Sequence, residues 1–123
     1  MRGTQKMNLY LNGELVGELS DYGYETPWAT ARLLALDADL IRRLAAASRF
    51  LAVDIEQDWG ALSREDEDRE YERRLAAYAI SESDVELLQG GAWEVANADA
   101  PQLQGPISIA EVDERGWVTW RWM

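Results

Sequence analysis

Apolar and polar residues alternate with a period of two at both ends of the chain and recur at helical spacing through the middle. NLYLNGELVGEL, residues 8–19, places Leu9 and Leu11 before Asn12-Gly13, and Leu15, Val16 and Leu19 after it. Asn-Gly is the preferred pair for a type I′ turn, which needs positive φ at both central positions. The segment therefore predicts a β-hairpin. DYGYETP, Asp21 to Pro27, reads as a loop because Gly and Pro punctuate it. WATARLLAL, Trp28 to Leu36, fits either a helix or a third strand. As a strand it sets Trp28, Thr30, Arg32 and Leu34 on one face, and Ala29, Ala31, Leu33 and Ala35 on the other.

Asp37 is a good N-cap, and a helix is expected from there to about Asp54. Leu40, Leu44, Ala47 and Leu51 form its apolar stripe, widened by Ile41, Ala45 and Ala52, with Arg42, Arg43 and Arg49 projecting elsewhere. The pattern breaks at Trp59-Gly60. A second helix starts at the Ser63 cap, with Asp66 completing a variant capping box, and runs to about Ile80. Tyr71, Leu75, Tyr78 and Ala79 mark its buried face. A short third helical turn is expected after a Ser83/Glu86 box, ending at Gly90-Gly91.

Strand patterning then returns. Trp93, Val95 and Asn97 alternate against Glu94, Ala96 and Ala98. Ile107, Ile109, Glu111 and Asp113 alternate against Ser108, Ala110 and Val112. Glu114-Arg115-Gly116 reads as a hairpin loop with glycine in the left-handed position. In the last strand, WVTWRWM, Val118, Trp120 and Trp122 share an apolar face directed at the helices. Trp117, Thr119 and Arg121 lie on the opposite face, with Arg121 placed to stack on an aromatic neighbour. The order of strands, helices and strands predicts an α+β fold: a mostly antiparallel sheet from the N-terminal hairpin and C-terminal strands, packed against two central helices. MRGTQK, residues 1–6, reads as a disordered lead-in, and residues 7–123 as one domain.

Composition narrows the chemistry. The chain has neither cysteine nor histidine. Disulfides, thiolate nucleophiles and Ser–His or Cys–His catalysis are excluded, and a transition-metal site made of carboxylates alone is not expected. Lys6 is the one lysine and lies near the start of the chain, which argues against a lysine nucleophile. No phosphate-binding glycine motif is present. No catalytic residues, metal or other cofactor are therefore expected, and the protein is not expected to be an enzyme. There is no apolar run of the ~18 residues that a spanning helix needs, and no signal-peptide pattern, so a cytoplasmic location is expected.

The net charge is −11. That balance disfavours direct nucleic-acid binding and attraction to anionic membranes, and favours a basic protein partner. Glu65, Asp66, Asp68 and Glu70, in REDEDREYERR, form an acidic surface; i,i+4 pairs such as Glu65–Arg69 and Glu70–Arg74 suit a salt-bridged helix face better than a metal site. Tyr22, Tyr24 and Trp28 are concentrated around the predicted loop and, with Trp117, Thr119 and Arg121, make a candidate partner-binding patch. Trp, Tyr and Arg combine area, rigidity and a polar handle, which is why they dominate binding hot spots.

The function expected is a small acidic protein-binding module, such as an inhibitor or immunity-type protein acting on a basic partner. The alternatives are a nucleic-acid-mimicking inhibitor of a DNA- or RNA-binding protein, and a small-molecule or carbohydrate binder using the aromatic side chains. A C-terminal strand at a sheet edge would also be open to homodimerisation.

Overall fold

A computed structural model describes residues 7–55 and 63–123; the expected lead-in at 1–6 and the helix break at Trp59-Gly60 lie outside these residues. Strands β1 (Met7–Leu11), β2 (Glu14–Glu25) and β3 (Trp28–Ala35) come first. Helices α1 (Ala38–Ile55), α2 (Arg64–Ala77) and α3 (Glu82–Gly90) follow. Strands β4 (Trp93–Asn97), β5 (Gly105–Val112) and β6 (Trp117–Trp122) end the chain. All neighbouring strands are antiparallel, and they close into a barrel in the order β1-β2-β3-β6-β5-β4.

Closure corrects the expected open sheet packed on two helices. The N-terminal hairpin and the C-terminal strands do form one antiparallel sheet, but it meets itself twice. β3 pairs with β6, and β1 pairs with β4 from Met7 opposite Asn97 to Leu11 opposite Trp93. A barrel buries one face of every strand inside itself and gives each strand a neighbour on both sides. Val118 and Trp120 accordingly face the barrel interior rather than a helical layer, together with Leu9, Leu19, Val95 and Ile107.

Local chemistry accounts for the ladder's details. Asn12 and Gly13 have φ of 52° and 85°, as the type I′ turn requires. The turn is tethered: Asn12 N–H donates to Ala92 O, and Asn12 Oδ1 accepts from Ala92 N–H. WATARLLA is a strand, and Ala29, Ala31 and Leu33 are its buried row. DYGYETP is largely strand rather than loop, because β2 continues to Glu25 opposite Trp28. The register shifts between Ser20 and Gly23, where Asp21 has a φ of 55°. A second bulge sits between Ile109 and Glu111. It resets the expected alternation of β5, so that Val112 is buried with Ile107 while Ser108 and Glu111 are exposed. The β5–β6 loop ends as expected on Gly116, with a φ of 92°.

The helices cover part of the barrel. Asp37 Oδ1 accepts from Asp39 N–H at the start of α1. Leu44, Ala45, Ala46, Ala47 and Phe50 are buried, whereas Ala52 is exposed. β4 pairs with β5 only as far as Ile107. Beyond it α1 packs against β5, and Ser48 Oγ accepts from Val112 N–H. A helix side chain thus takes up a strand donor that no neighbouring strand reaches. Phe50 makes edge contacts with Tyr71 and Tyr78, at 5.5 and 5.7 Å between ring centroids. Ser63 Oγ caps α2 by accepting from Asp66 N–H, but the helix ends at Ala77, and Ala79 is exposed with a φ of 56°. α3 is capped two residues earlier than expected, at Ser81 rather than Ser83. Asp84, not Glu86, accepts from the N–H of Ser81, and it also pairs with Arg43 at 2.9 Å. Arg43 is therefore a cross-helix tie rather than a solvated side chain. Among the described residues, no helix is long and apolar enough to cross a membrane.

Candidate functional site: the outer face of β3 and β6

The β3–β6 register builds the site. Thr30 lies opposite Thr119, and Arg32 opposite Trp117. One residue beyond Ala29 and Trp120, Trp28 meets Arg121, whose guanidinium carbon lies 5.7 Å from the indole centroid. Because alternate residues share a face, a threonine pair sits between two crossed tryptophan–arginine pairs. β3 continues the face with Leu34, which is 75% exposed, and Leu36 just after the strand is equally exposed. The expected stacking of Arg121 on an aromatic ring is present, and that ring is Trp28.

Of the expected patch, Trp28, Trp117, Thr119 and Arg121 come together. Tyr24, 54% exposed, lies close to them, lining a shallow hollow with Glu25, Trp28 and Thr30. Tyr22 does not join them. It is half-buried, 6.0 Å from the Trp120 ring, and its hydroxyl accepts from Trp122 Nε1 at 3.4 Å. The bulge at Asp21 changes which way the strand's side chains alternate, and that carries Tyr22 into the aromatic core. Sequence reasoning left Thr30, Arg32 and Leu34 out of the site. Their alternation with Ala29, Ala31 and Leu33 was the signal that could have placed them beside Trp28.

Charge is divided unevenly around the barrel. β1, β2 and β4 carry Glu14, Glu18, Asp21, Glu25 and Glu94 and no basic residue. β3 and β6 carry Arg32 and Arg121 and no acidic residue. Arg115, in the loop entering β6, adds a third guanidinium on that side, and its carbonyl accepts from Arg32 Nε at 3.3 Å. β6 is paired with β3 on one side and β5 on the other. The C-terminal strand is therefore not an open edge of the sheet.

The predicted acidic surface lies on the first half of α2. Glu65, Asp66 and Asp68 are exposed, with Arg69 near Glu65 and Asp66 at 3.9 and 3.8 Å. Glu70 is half-buried and accepts from Arg73 Nε at 2.9 Å and Arg74 Nε at 3.2 Å. These hydrogen bonds, Arg73's first, hold its carboxyl below the ordinary glutamate range. Among the described residues, no cluster of carboxylates is placed to hold a metal ion.

A folded-state pKa below the unfolded one gives stability that is present above the unfolded value and is lost as pH falls through the folded value. The Glu70→Gln variant should therefore be less stable than wild type at neutral pH. The two urea midpoints should converge on acidification past the folded Glu70 pKa. A gap that persists at low pH would mean that the Glu70 carboxylate is not what stabilises α2.

Among the described residues, these features define a closed six-stranded antiparallel barrel with three helices and an exposed aromatic–arginine face on two of its strands. No family model, no curated protein and no solved structure matches the chain.

Proposed function

We propose that the protein is a non-catalytic protein-binding module that docks its partner on the outer face of β3 and β6. The observation that carries this reading is the crossed arrangement flanking Thr30 and Thr119, with Arg121 over the Trp28 ring on one side and Arg32 opposite Trp117 in the ladder on the other. Trp28 is 41% exposed at the start of a strand with neighbours on both sides, and Arg121 lies over its ring. Tryptophan and arginine at the centre of a face supply large contact area with few rotors to freeze. The barrel ladder fixes their spacing beforehand, which reduces the ordering cost of association. An inhibitor or immunity-type role falls within this reading, since neutralising another protein needs a rigid face and no chemistry of its own.

The test is a pull-down from the native lysate with tagged wild type and Trp28→Ala/Arg121→Ala, read by mass spectrometry. One stoichiometric partner is expected with wild type, weakened at least about tenfold in the double variant. Both side chains are solvent-accessible, so the urea midpoint should change little. A partner held equally by both proteins would move the site off this face and defeat the proposal.

A further inference from the structure

We infer that a second copy of this chain docks on the barrel wall around Leu34, forming a two-fold dimer whose axis runs along β3. This goes beyond the docking-face reading above, because Trp28 lies at the other end of the strand, about 20 Å from Leu34.

Leucines mark the surface. Leu34 and Leu36 are each 75% exposed. Leu36 N–H donates to Val16 O, which places Leu15, itself 45% exposed, beside them. One exposed leucine is ordinary, whereas a contiguous group on a strand face marks a surface that is covered in use.

The register sets what flanks this group. Glu18 of β2 is the ladder partner of Leu34. On the other flank, Leu33 N–H donates to Gly116 O, one step past the Arg32–Trp117 pair, and that brings Arg115 level with Leu34. The wall thus presents one row of acid, leucine and base. Glu18 and Arg115 are both exposed, and neither takes part in an ion pair among the described residues. The carboxylates next to Arg115 are engaged elsewhere. Asp113 accepts from the backbone N–H groups of Arg115 and Trp117, and Glu114 pairs with Arg49.

Such a row is complementary to itself. A half-turn about an axis along β3 sets Leu34 on Leu34 of the second copy, Glu18 on its Arg115 and Arg115 on its Glu18, so the ion pair is made twice. A half-turn about an axis across the strands would set Glu18 against Glu18 and Arg115 against Arg115, which like-charge repulsion disfavours. Arg32 is the cation nearest the chosen axis. Its Nε donates to Arg115 O, which draws it toward the β6 side. After the half-turn that side faces β2 of the second copy, where Glu18 lies, so the two Arg32 groups diverge. The barrel wall is convex, and flanking side chains must be long to meet across the axis. Glutamate and arginine are.

The net charge of −11 repels a second copy at long range. Unit charges are screened over ~8 Å at physiological ionic strength, so the charges that meet decide the contact. The surface is small, and the dimer belongs to the weak class that buries less than about 1,200 Å².

Sedimentation equilibrium of the full chain at physiological salt, over a series reaching about 1 mM, reads the dimer directly. Wild type is expected to dimerise. Glu18→Arg and Arg115→Glu should each weaken the dimer at least about tenfold, since each puts two like-charge pairs into the interface. Glu18→Arg/Arg115→Glu restores both pairs with their signs exchanged, and should return the constant to within about threefold of wild type. Leu34→Asp should leave a monomer with a little-changed urea midpoint, because the side chain is exposed. A wild type that stays monomeric overturns the inference, and loss of the lysate partner in Leu34→Asp would then give the surface to another protein. A dimer that tolerates either single reversal, or that the double reversal does not restore, overturns it as well. Restoration by the double reversal cannot come from misfolding. Trp28→Ala/Arg121→Ala should dimerise as wild type does, so the docking-face reading and this one fail in different experiments.

Discussion

Replacing Trp120 with alanine is expected to cost about 3–5 kcal/mol of folding stability, a large share of the ~5–15 kcal/mol that holds a domain of this kind together. Trp120 is fully buried and heads the largest buried side chains. Its ring lies 6.0 Å from Tyr22 and 5.8 Å from Trp122, the latter edge-on at 83°. Cutting it back to a methyl group removes this packing and opens a cavity that three different strands would have to move to fill. Among the described residues, the indole N–H has no hydrogen-bond partner. Trp120→Phe therefore removes an unsatisfied donor along with part of the ring, and it should lose less than half of what alanine loses. Urea unfolding of the two variants checks the ordering. Equal losses for phenylalanine and alanine would mean that the nitrogen has a role the packing does not account for. The same pair separates stability from recognition, because Trp120→Phe leaves Thr119 and Arg121 on the outer side of the strand. It should keep its partner, whereas Trp28→Ala/Arg121→Ala should keep its fold and lose it.

Gly17→Ala is the second large effect, at about 3 kcal/mol or more. A Cβ at Gly17 would stand 2.3 Å from Leu34 O and 2.8 Å from Ala35 Cα. Both obstacles are backbone, so no rotamer change relieves them; β2 and β3 would have to separate where β3 leaves for α1. Gly90 is the matched control, since nothing lies within 4 Å of a Cβ there and it is the last residue of a helix. Gly90→Ala should be neutral or stabilising by up to ~1 kcal/mol. The measurement is the shift in urea midpoint, with unchanged slope if the variant still folds to the same barrel. A Gly17→Ala protein as stable as wild type would show that the β2–β3 contact is looser than these distances.

Much of the site was legible in the alternation of WVTWRWM. Val118 and Trp120 went in, and Thr119 and Arg121 came out, because a paired strand offers its side chains only two directions. Trp122, the last residue of β6, is only half-buried. Tyr22 was misplaced for a different reason. A bulge inserts a residue and changes the phase of everything after it, and nothing in SDYGY marks Asp21 as the residue with positive φ. The same fault put Val112 on the wrong side of β5. Arg32 was passed over because an arginine in a run of alanine and leucine is as good a helix surface residue as a strand one.

The sequence by itself determined the Asn12-Gly13 turn, the spans of the helices to within a few residues, the Gly116 loop, and which residues of β4 and of β6 share the apolar side of their strand. Each of these follows from conformational preference and patterning over a handful of neighbouring positions. The tertiary structure alone decided that the sheet closes, that β6 has no free edge, and that Arg32 and Arg115, 83 residues apart, share one face. Strand partners so distant are selected by the burial of the whole interior at once. An amphipathic strand looks the same in an open sheet as in a barrel. The uneven distribution of charge around the wall is equally invisible in a total of −11, because it depends on which strands stand side by side.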